Sequence, residues 1–432
     1  MLILARRTWT ALTRPPRAEP ATAAIHGGWL DRRRLGIAAG VLLALQLAVF
    51  AFFVAGTHGW IVPLKGPTTT DFVSFYAAGT LANAGTPALA YDHSAHLAAE
   101  ERATEPGIRY QFFNYPPVFM LLCAALATLP YLAAFVVFEA ATLVLYLVVG
   151  LRILGECSGA AVVALLAFPL VFWNFGLGQN AFLTAALFGA ASLWIDRRPL
   201  VAGLLFGALC YKPQFALLVP LALVAGGQWR ALAATAASAA ALMLLSLAVF
   251  GSATWQGFIT VAATSPAMYE SGRILFAGMA NTFGAARLVG AGAPLAYALQ
   301  AVASLVAAWV VVIVWRGGLS LPTRAATLAA GTLVAAPLAL LYDLMLGAVA
   351  AAWLIRDRDA PAAAAWETIA LAALYLVPLD GRSLGERWRV PVFPLVALAL
   401  FALVAARAWR EMAVRRRAAK EAPALAGSCG AA

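Results

Sequence analysis

Asp71 is the carboxylate whose setting most invites chemistry: it follows three threonines, stands just beyond the first long apolar run and opens the stretch FVSFYAAGTLANAG. That pattern reads as an N-capped helix lying over the membrane face and closed by Gly85. A carboxylate there can cap the helix, act as a general base toward a hydroxyl, or do both. Asp92, in the pair Tyr91-Asp92, is the next carboxylate to weigh, with a turn or a cap as its plainer role. A second polar helix along the membrane surface is expected from about His93 to Thr104.

His58, His93 and His96 fall in the same stretch, and Asp92, His93 and His96 are spaced to share a helix face. No Cys or further carboxylate stands at a ligand spacing, so the expectation is exposed interfacial histidines and no metal. Lys212 lies between two apolar runs and precedes Pro213. An ammonium at such depth can hold an anionic phosphate together with the next helix N-terminus, or snorkel to the headgroups. Gly178, Gln179 and Asn180 interrupt another apolar run and offer amide donors to a sugar or phosphate, or a polar contact between helices. Tyr342 and Asp343 occupy a similar place between two later runs, where they can line a cavity. For Glu139, inside a run, a hydrogen-bonded or protonated structural role is expected. Glu270, Arg273 and Arg287 with Trp255, Tyr269 and Phe283 suit sugar stacking and an ordinary interfacial belt alike.

The elements that must position these residues are membrane helices. A chain of 432 residues that is 63% hydrophobic and only 11% charged, with mean hydropathy +0.85, does not fit a water-soluble surface. A hydrocarbon core of roughly 30 Å takes about 20 apolar residues per helix. Such runs lie near residues 35–56, 131–151, 159–175, 180–195, 199–211, 213–226, 231–250, 293–315, 324–341, 344–355, 361–379 and 390–410. The fold class is all-α: a polytopic integral membrane protein with about 11–13 transmembrane helices. Residues 115–130 are expected to be re-entrant or interfacial, and the break at Tyr211-Lys212-Pro213 points to helices that line a cavity.

The net charge of +11 does not indicate nucleic acid, because the basic residues sit in the two tails and in short turns between runs. Residues 1–34 and 411–432 therefore read as basic cytoplasmic tails around a membrane domain at 35–410, with outer loops at 57–114 and 251–292. The first loop is net acidic, with Asp71, Asp92, Glu100, Glu101 and Glu105 against Lys65, Arg102 and Arg109. The run at 35–56 reads as an anchor, since its basic flank is long and no small-residue cleavage site follows it. Cys123, Cys157, Cys210 and Cys429 form no CxxC pair, so neither a disulfide framework nor a zinc site is expected.

Asp71-Phe72 with Tyr76, Ala77 and Ala78, then Gly85 with Tyr91-Asp92, Tyr115-Pro116-Pro117, Gly178-Gln179-Asn180, Ala202-Gly203 leading to Lys212-Pro213-Gln214, and Tyr342-Asp343 form an ordered set. In that order the chain resembles glycosyltransferase family 87, whose members transfer mannose or a related sugar from a polyprenyl-phosphate carrier on the membrane GT-C fold. The resemblance implies an inverting transfer on the periplasmic face of a bacterial inner membrane, to an envelope glycan or glycolipid acceptor. It places the base at Asp71, the donor phosphate at Lys212 and Gln179, and further cavity or acceptor contacts at Asp92, Tyr115, Asn180, Gln214, Tyr342 and Asp343. It also implies no divalent metal and no other cofactor, and no nucleic-acid partner. A secondary transporter is the rival reading, but no inverted repeat is visible and a transporter has no need of the acidic loop at 57–114. A non-catalytic partner in envelope assembly fits the ordered set less well.

Overall fold

The computed structural model describes residues 32–55, 70–356 and 365–428. His58, Lys65, Arg358, Cys429 and the arginines before Asp31 lie outside the described residues. In chain order the helices begin with α1 (Arg32–Ala55), α2 (Phe72–Asn83), α3 (His93–Ala103), α4 (Pro117–Leu126), α5 (Tyr131–Leu154) and α6 (Gly159–Leu166). They continue with α7 (Pro169–Leu177), α8 (Ala181–Trp194), α9 (Pro199–Ala208), α10 (Val219–Ala225), α11 (Trp229–Glu270) and α12 (Thr282–Leu288). The last are α13 (Ala293–Arg316), α14 (Leu321–Ala335), α15 (Met345–Arg356), α16 (Ala365–Leu376), α17 (Gly381–Trp388) and α18 (Val392–Ser428). No strand occurs among the described residues beyond one isolated bridge between Met279 and Leu340.

The fold is all-α, but its helices are shorter than about 11–13 full spans would require. Four are long and apolar enough to cross a membrane: α5, α11, α13 and α18 over Val392–Ala419. Helices α6 and α7 make a fifth when taken together, bent by 53° at their break. Gly36–Phe52, α4, α8, Pro199–Tyr211, Pro213–Ala225 and Trp366–Leu379 are apolar but only 10–17 residues long. Proline accounts for several breaks: Pro169, Pro199, Pro213 and Pro378 each stand in the first turn of a new element. There the missing N–H costs nothing, whereas a longer helix would lose a bond and meet the ring.

The bundle has two chemically distinct poles. At the basic pole the Arg356 guanidinium donates to the Arg152 and Ile153 carbonyls, Arg324 pairs with Asp196 at 2.6 Å, and Arg415 donates to the Gly318 carbonyl. Glu367 is held there by Arg407 and Arg410. At the other pole the Asp71 amide donates to Leu177 O at 2.7 Å, and Thr70 Oγ1 lies 3.2 Å from the Tyr131 hydroxyl at the start of α5. Helix α5 therefore runs from the Asp71 pole to the basic pole. Helix α9 rises from Arg198 toward Lys212, and the chain returns to Gly226, which packs on Trp315 beside Arg316.

Helix α4 does not connect the poles. It lies along α2, with Asn83 Nδ2 donating to Ala124 O at 3.0 Å and the Tyr76 hydroxyl donating to Leu129 O at 2.9 Å. Both its ends stay at the Asp71 pole, as a re-entrant or interfacial segment requires. The approach is so close that a Cβ on Gly79 would overlap the Cys123 carbonyl. Aromatic rings fill the floor beneath, with Phe72 stacked on Phe138 at 5.7 Å and Phe75 edge-on to Phe119 at 4.9 Å. The segment at 251–292, expected as the second outer loop, is mostly helical: α11 kinks at Gly251 (φ 77°) and runs on to Glu270, followed by α12.

Candidate functional site

Asp71 does not cap α2. Its backbone is already helical (φ −64°, ψ −17°) and its side chain makes no capping bond, so the carboxylate expected to serve the helix is turned to another partner. Oδ2 accepts from Gln179 Nε2 at 2.8 Å, and the Tyr115 hydroxyl reaches Gln179 Oε1 at 3.4 Å.

The turn that brings Gln179 to Asp71 is built by its neighbours. Gly178 ends α7 in the left-handed region (φ 68°), and a Cβ there would stand 2.6 Å from the Phe72 Cβ. Asn174, one turn earlier, donates from Nδ2 to Gln179 O at 2.8 Å and to Glu139 Oε2 at 3.2 Å, while its Oδ1 accepts from the Ala181 amide. Glu139 is fully buried and serves as a structural acceptor within the bundle. Asn174 escaped the sequence reading; its signal was a lone amide one turn before a helix-ending glycine.

Lys212 is committed elsewhere than expected. Its Nζ lies 2.6 Å from Asp343 Oδ1 and 3.0 Å from Asn180 Oδ1, with the Phe215 and Tyr342 rings at 5.1 and 5.2 Å. Asp343 Oδ2 accepts from the Leu340 amide. Lysine and aspartate side chains are only 4% and 3% exposed, so this is a closed ion pair that joins the α9–α10 break to the turn before α15. The ammonium expected to meet a phosphate thus holds a carboxylate in this structure, and Asp343, expected to line a cavity, is its counter-ion. Asn180 leaves Nδ2 without a partner among the described residues. Gln214, two residues past Lys212, is half-buried with no side-chain hydrogen bond among them.

Burial raises the Asp71 pKa. The Gln179 hydrogen bond and the fields of Arg382 and Arg109 pull it back, but only in part. Burial, reinforced by the nearby carboxylates, also lifts the Tyr115 and Tyr342 phenols, so both remain hydrogen-bond donors.

Residues 112–342, more than half of the chain, match the model of glycosyltransferase family 87. The chain belongs to glycosyltransferase family 87. No curated protein and no solved structure matches it. With its apolar helices, it is a membrane glycosyltransferase. The matched stretch holds Tyr115, Gln179, Asn180, Lys212 and Gln214 and ends at Tyr342, but begins after Asp71. In this glycosyltransferase the bonds from Asp71 to Leu177 and Gln179 tie that carboxylate to the family stretch.

Several sequence candidates stay apart from this cluster. Asp92 is exposed and caps α3, accepting from the Ala95 amide at 2.8 Å. His96 is fully buried rather than interfacial, with Nε2 donating to Ser74 O at 3.1 Å in the tautomer that this acceptor requires. Burial drops its pKa to about 4 and lifts that of Glu100, 3.5 Å from His96 Nδ1, to about 8. Burial thus favours the uncharged form of each, and His96 Nδ1 has no hydrogen-bond partner among the described residues. Among the described residues no three His, Cys, Asp or Glu side chains stand together as a metal ligand set.

Several side chains of the segment at 251–292 are already engaged within the protein. Arg287 donates to the Ala291 and Glu270 carbonyls, Tyr297 donates to Glu270, and Phe283 is buried. That set fixes its own loop and leaves Phe283 no face for a sugar. Two open cavities of about 780 and 450 Å³ flank α2, the smaller lined by Tyr76, Thr80, Arg102 and Tyr131, and neither is lined by Asp71.

Proposed function

We propose that this membrane glycosyltransferase transfers a hexose, with mannose the first sugar to try, from a polyprenyl-phosphate carrier to a hydroxyl of an envelope glycan or glycolipid, inverting the anomeric carbon. The observation that carries this reading is the Asp71 carboxylate, released from capping and held among the described residues through Oδ2, at the pole opposite Arg152, Arg324 and Arg356. As the acceptor oxygen bonds to the anomeric carbon, the bond from that carbon to the phosphate oxygen breaks and its electron pair leaves on the phosphate. Asp71 takes the hydroxyl proton. Gln179 fixes the carboxylate, and the Tyr115 hydroxyl steadies Gln179. A phosphate monoester is already a good leaving group, so orientation and proton removal carry most of the demand and no resident metal is required.

The distribution of charge supports one side of the membrane for the site. Arg152, Arg197, Arg198, Arg324 and Arg356 gather at one pole, which the positive-inside bias assigns to the cytoplasm. Asp71 then faces the periplasm of a bacterial inner membrane. The test is purified protein in nanodiscs, supplied with polyprenyl-phosphate mannose and with its glucose counterpart, in EDTA. Sugar transfer or slow donor hydrolysis supports the reading; intact donors together with an unchanged pattern of envelope glycans after gene deletion overturn it.

A further inference from the structure

Helix α17 lies beyond the stretch that matches the family. At about 100° per residue, Gly381 and Gly385 share one face, Arg382 and Glu386 a second, and Leu384 and Trp388 a third, nearly opposite the second. The glycine face is pressed on the bundle, since a Cβ would stand 2.9 Å from Phe393 at Gly381 and 3.0 Å from Ala277 at Gly385. The third face is apolar and open, with Leu384 42% and Trp388 66% exposed. Arg387 lies over the Trp388 ring at 5.6 Å, an arrangement suited to headgroup depth.

The turn before α17 is tied to the Asp71 pole. Trp173 Nε1 donates to Pro378 O at 2.6 Å, tying the turn before α17 to α7, and the last carbonyl of α7 holds the Asp71 amide. Arg382 is also near enough for its charge to act on the Asp71 carboxylate. Helix α17 thus carries an exposed apolar edge and, on another face, an arginine whose charge reaches Asp71. From Asp380 to Arg389 it carries three arginines against Asp380 and Glu386, so it favours an anion.

We propose that Arg382 receives the phosphate of an isoprenoid-linked donor, which enters over the Leu384–Trp388 face of α17. The assignment rests on the function proposed above and moves the phosphate contact away from Lys212. Freeing Lys212 would strand the buried Asp343 charge. Freeing Arg382 gives up only a surface pair with Glu386, at 3.0 Å with both side chains 40% and 47% exposed. A guanidinium also meets phosphate with two parallel donors, which an ammonium cannot do.

The test reads binding and catalysis separately, with polyprenyl phosphate as the probe in phosphatidylcholine nanodiscs. Polyprenyl phosphate should raise the melting temperature of the parent, and Arg382→Gln should weaken its affinity by about ten- to hundredfold. Glu386→Gln, which releases Arg382 from its partner, should tighten affinity by up to about fivefold. Equal affinity in the parent and Arg382→Gln, or displacement of the probe by phosphatidylglycerol at equal concentration, overturns the proposal. So does a parent that the probe does not stabilise. Unaltered affinity in Arg382→Gln alongside normal sugar transfer removes Arg382 as the phosphate ligand and leaves the proposed function standing.

Discussion

Gln179 donates to Asp71 across 2.8 Å and joins residues 108 positions apart in the chain. That bond links the start of α2 to the turn that follows α7, and the placement of the Asp71 carboxylate depends on it.

Asp71→Asn separates chemistry from folding. Asparagine can still accept from Gln179, and no capping bond is lost because none exists. Turnover should fall by about 10²- to 10⁴-fold with an unchanged melting temperature and retained donor affinity. Sugar transfer and thermal melting on the same nanodisc sample check this, and near-parental turnover in a folded variant would remove Asp71 as the base.

Gln179→Leu should shift the pH profile in a defined direction. In the proposed role of base Asp71 works only when ionised, and burial already raises its pKa above the ordinary carboxylate value. Deleting the hydrogen bond that opposes burial raises it further, so the acidic limb of kcat/KM moves to higher pH. A limb that stays in place or moves to lower pH contradicts the arrangement.

Much of this was legible in the sequence and some was not. Periodic apolar runs, proline breaks and the arginine bias placed the helices and the two poles, because a bilayer leaves the chain few other solutions. The interruption at Gly178-Gln179-Asn180 announced a polar turn at the Asp71 pole. The partner of Lys212 was not legible: Asp343 is 131 positions away, and only packing of α9 against the turn before α15 decides that the charge is neutralised. His96 failed for a related reason, since a polar helix pattern does not reveal that α3 buries one histidine against α2.

Lys212→Met should act on stability first. It leaves Asp343 buried without its counter-ion, a loss of about 3–5 kcal/mol for a pair of this kind. Adding Asp343→Asn should restore part of that loss, and melting of both variants checks the coupling. A Lys212→Met protein as stable as the parent would mean that the pair is not closed in the membrane.

Glu100 gives a pH signature in stability. The folded chain binds the Glu100 proton more tightly than the unfolded chain does, so this contribution is complete at low pH and is lost as pH rises through about 8. His96 acts with the opposite sign, its contribution being lost as pH falls toward about 4. Above about 6.5, the free imidazole value, only the Glu100 effect remains. Amide protection in α3, taken relative to the base-catalysed intrinsic rate, should therefore fall between about pH 6.5 and 8.5 in the parent and stay level in Glu100→Gln, whose side-chain oxygen can still accept from the Gln111 amide.

Gly79 takes no part in the chemistry, yet it sets the spacing between α2 and α4, since any side chain there would overlap the Cys123 carbonyl. Helix α2 carries Asp71 at its start and α4 follows Tyr115, so the same spacing governs the reach from the carboxylate to the phenol through Gln179. Substitution at this bare position would detune the site from a distance of about two helical turns. In a random-mutagenesis screen for lost transferase activity, Gly79 should surface beside Asp71 among the intolerant positions, although it has no functional group of its own.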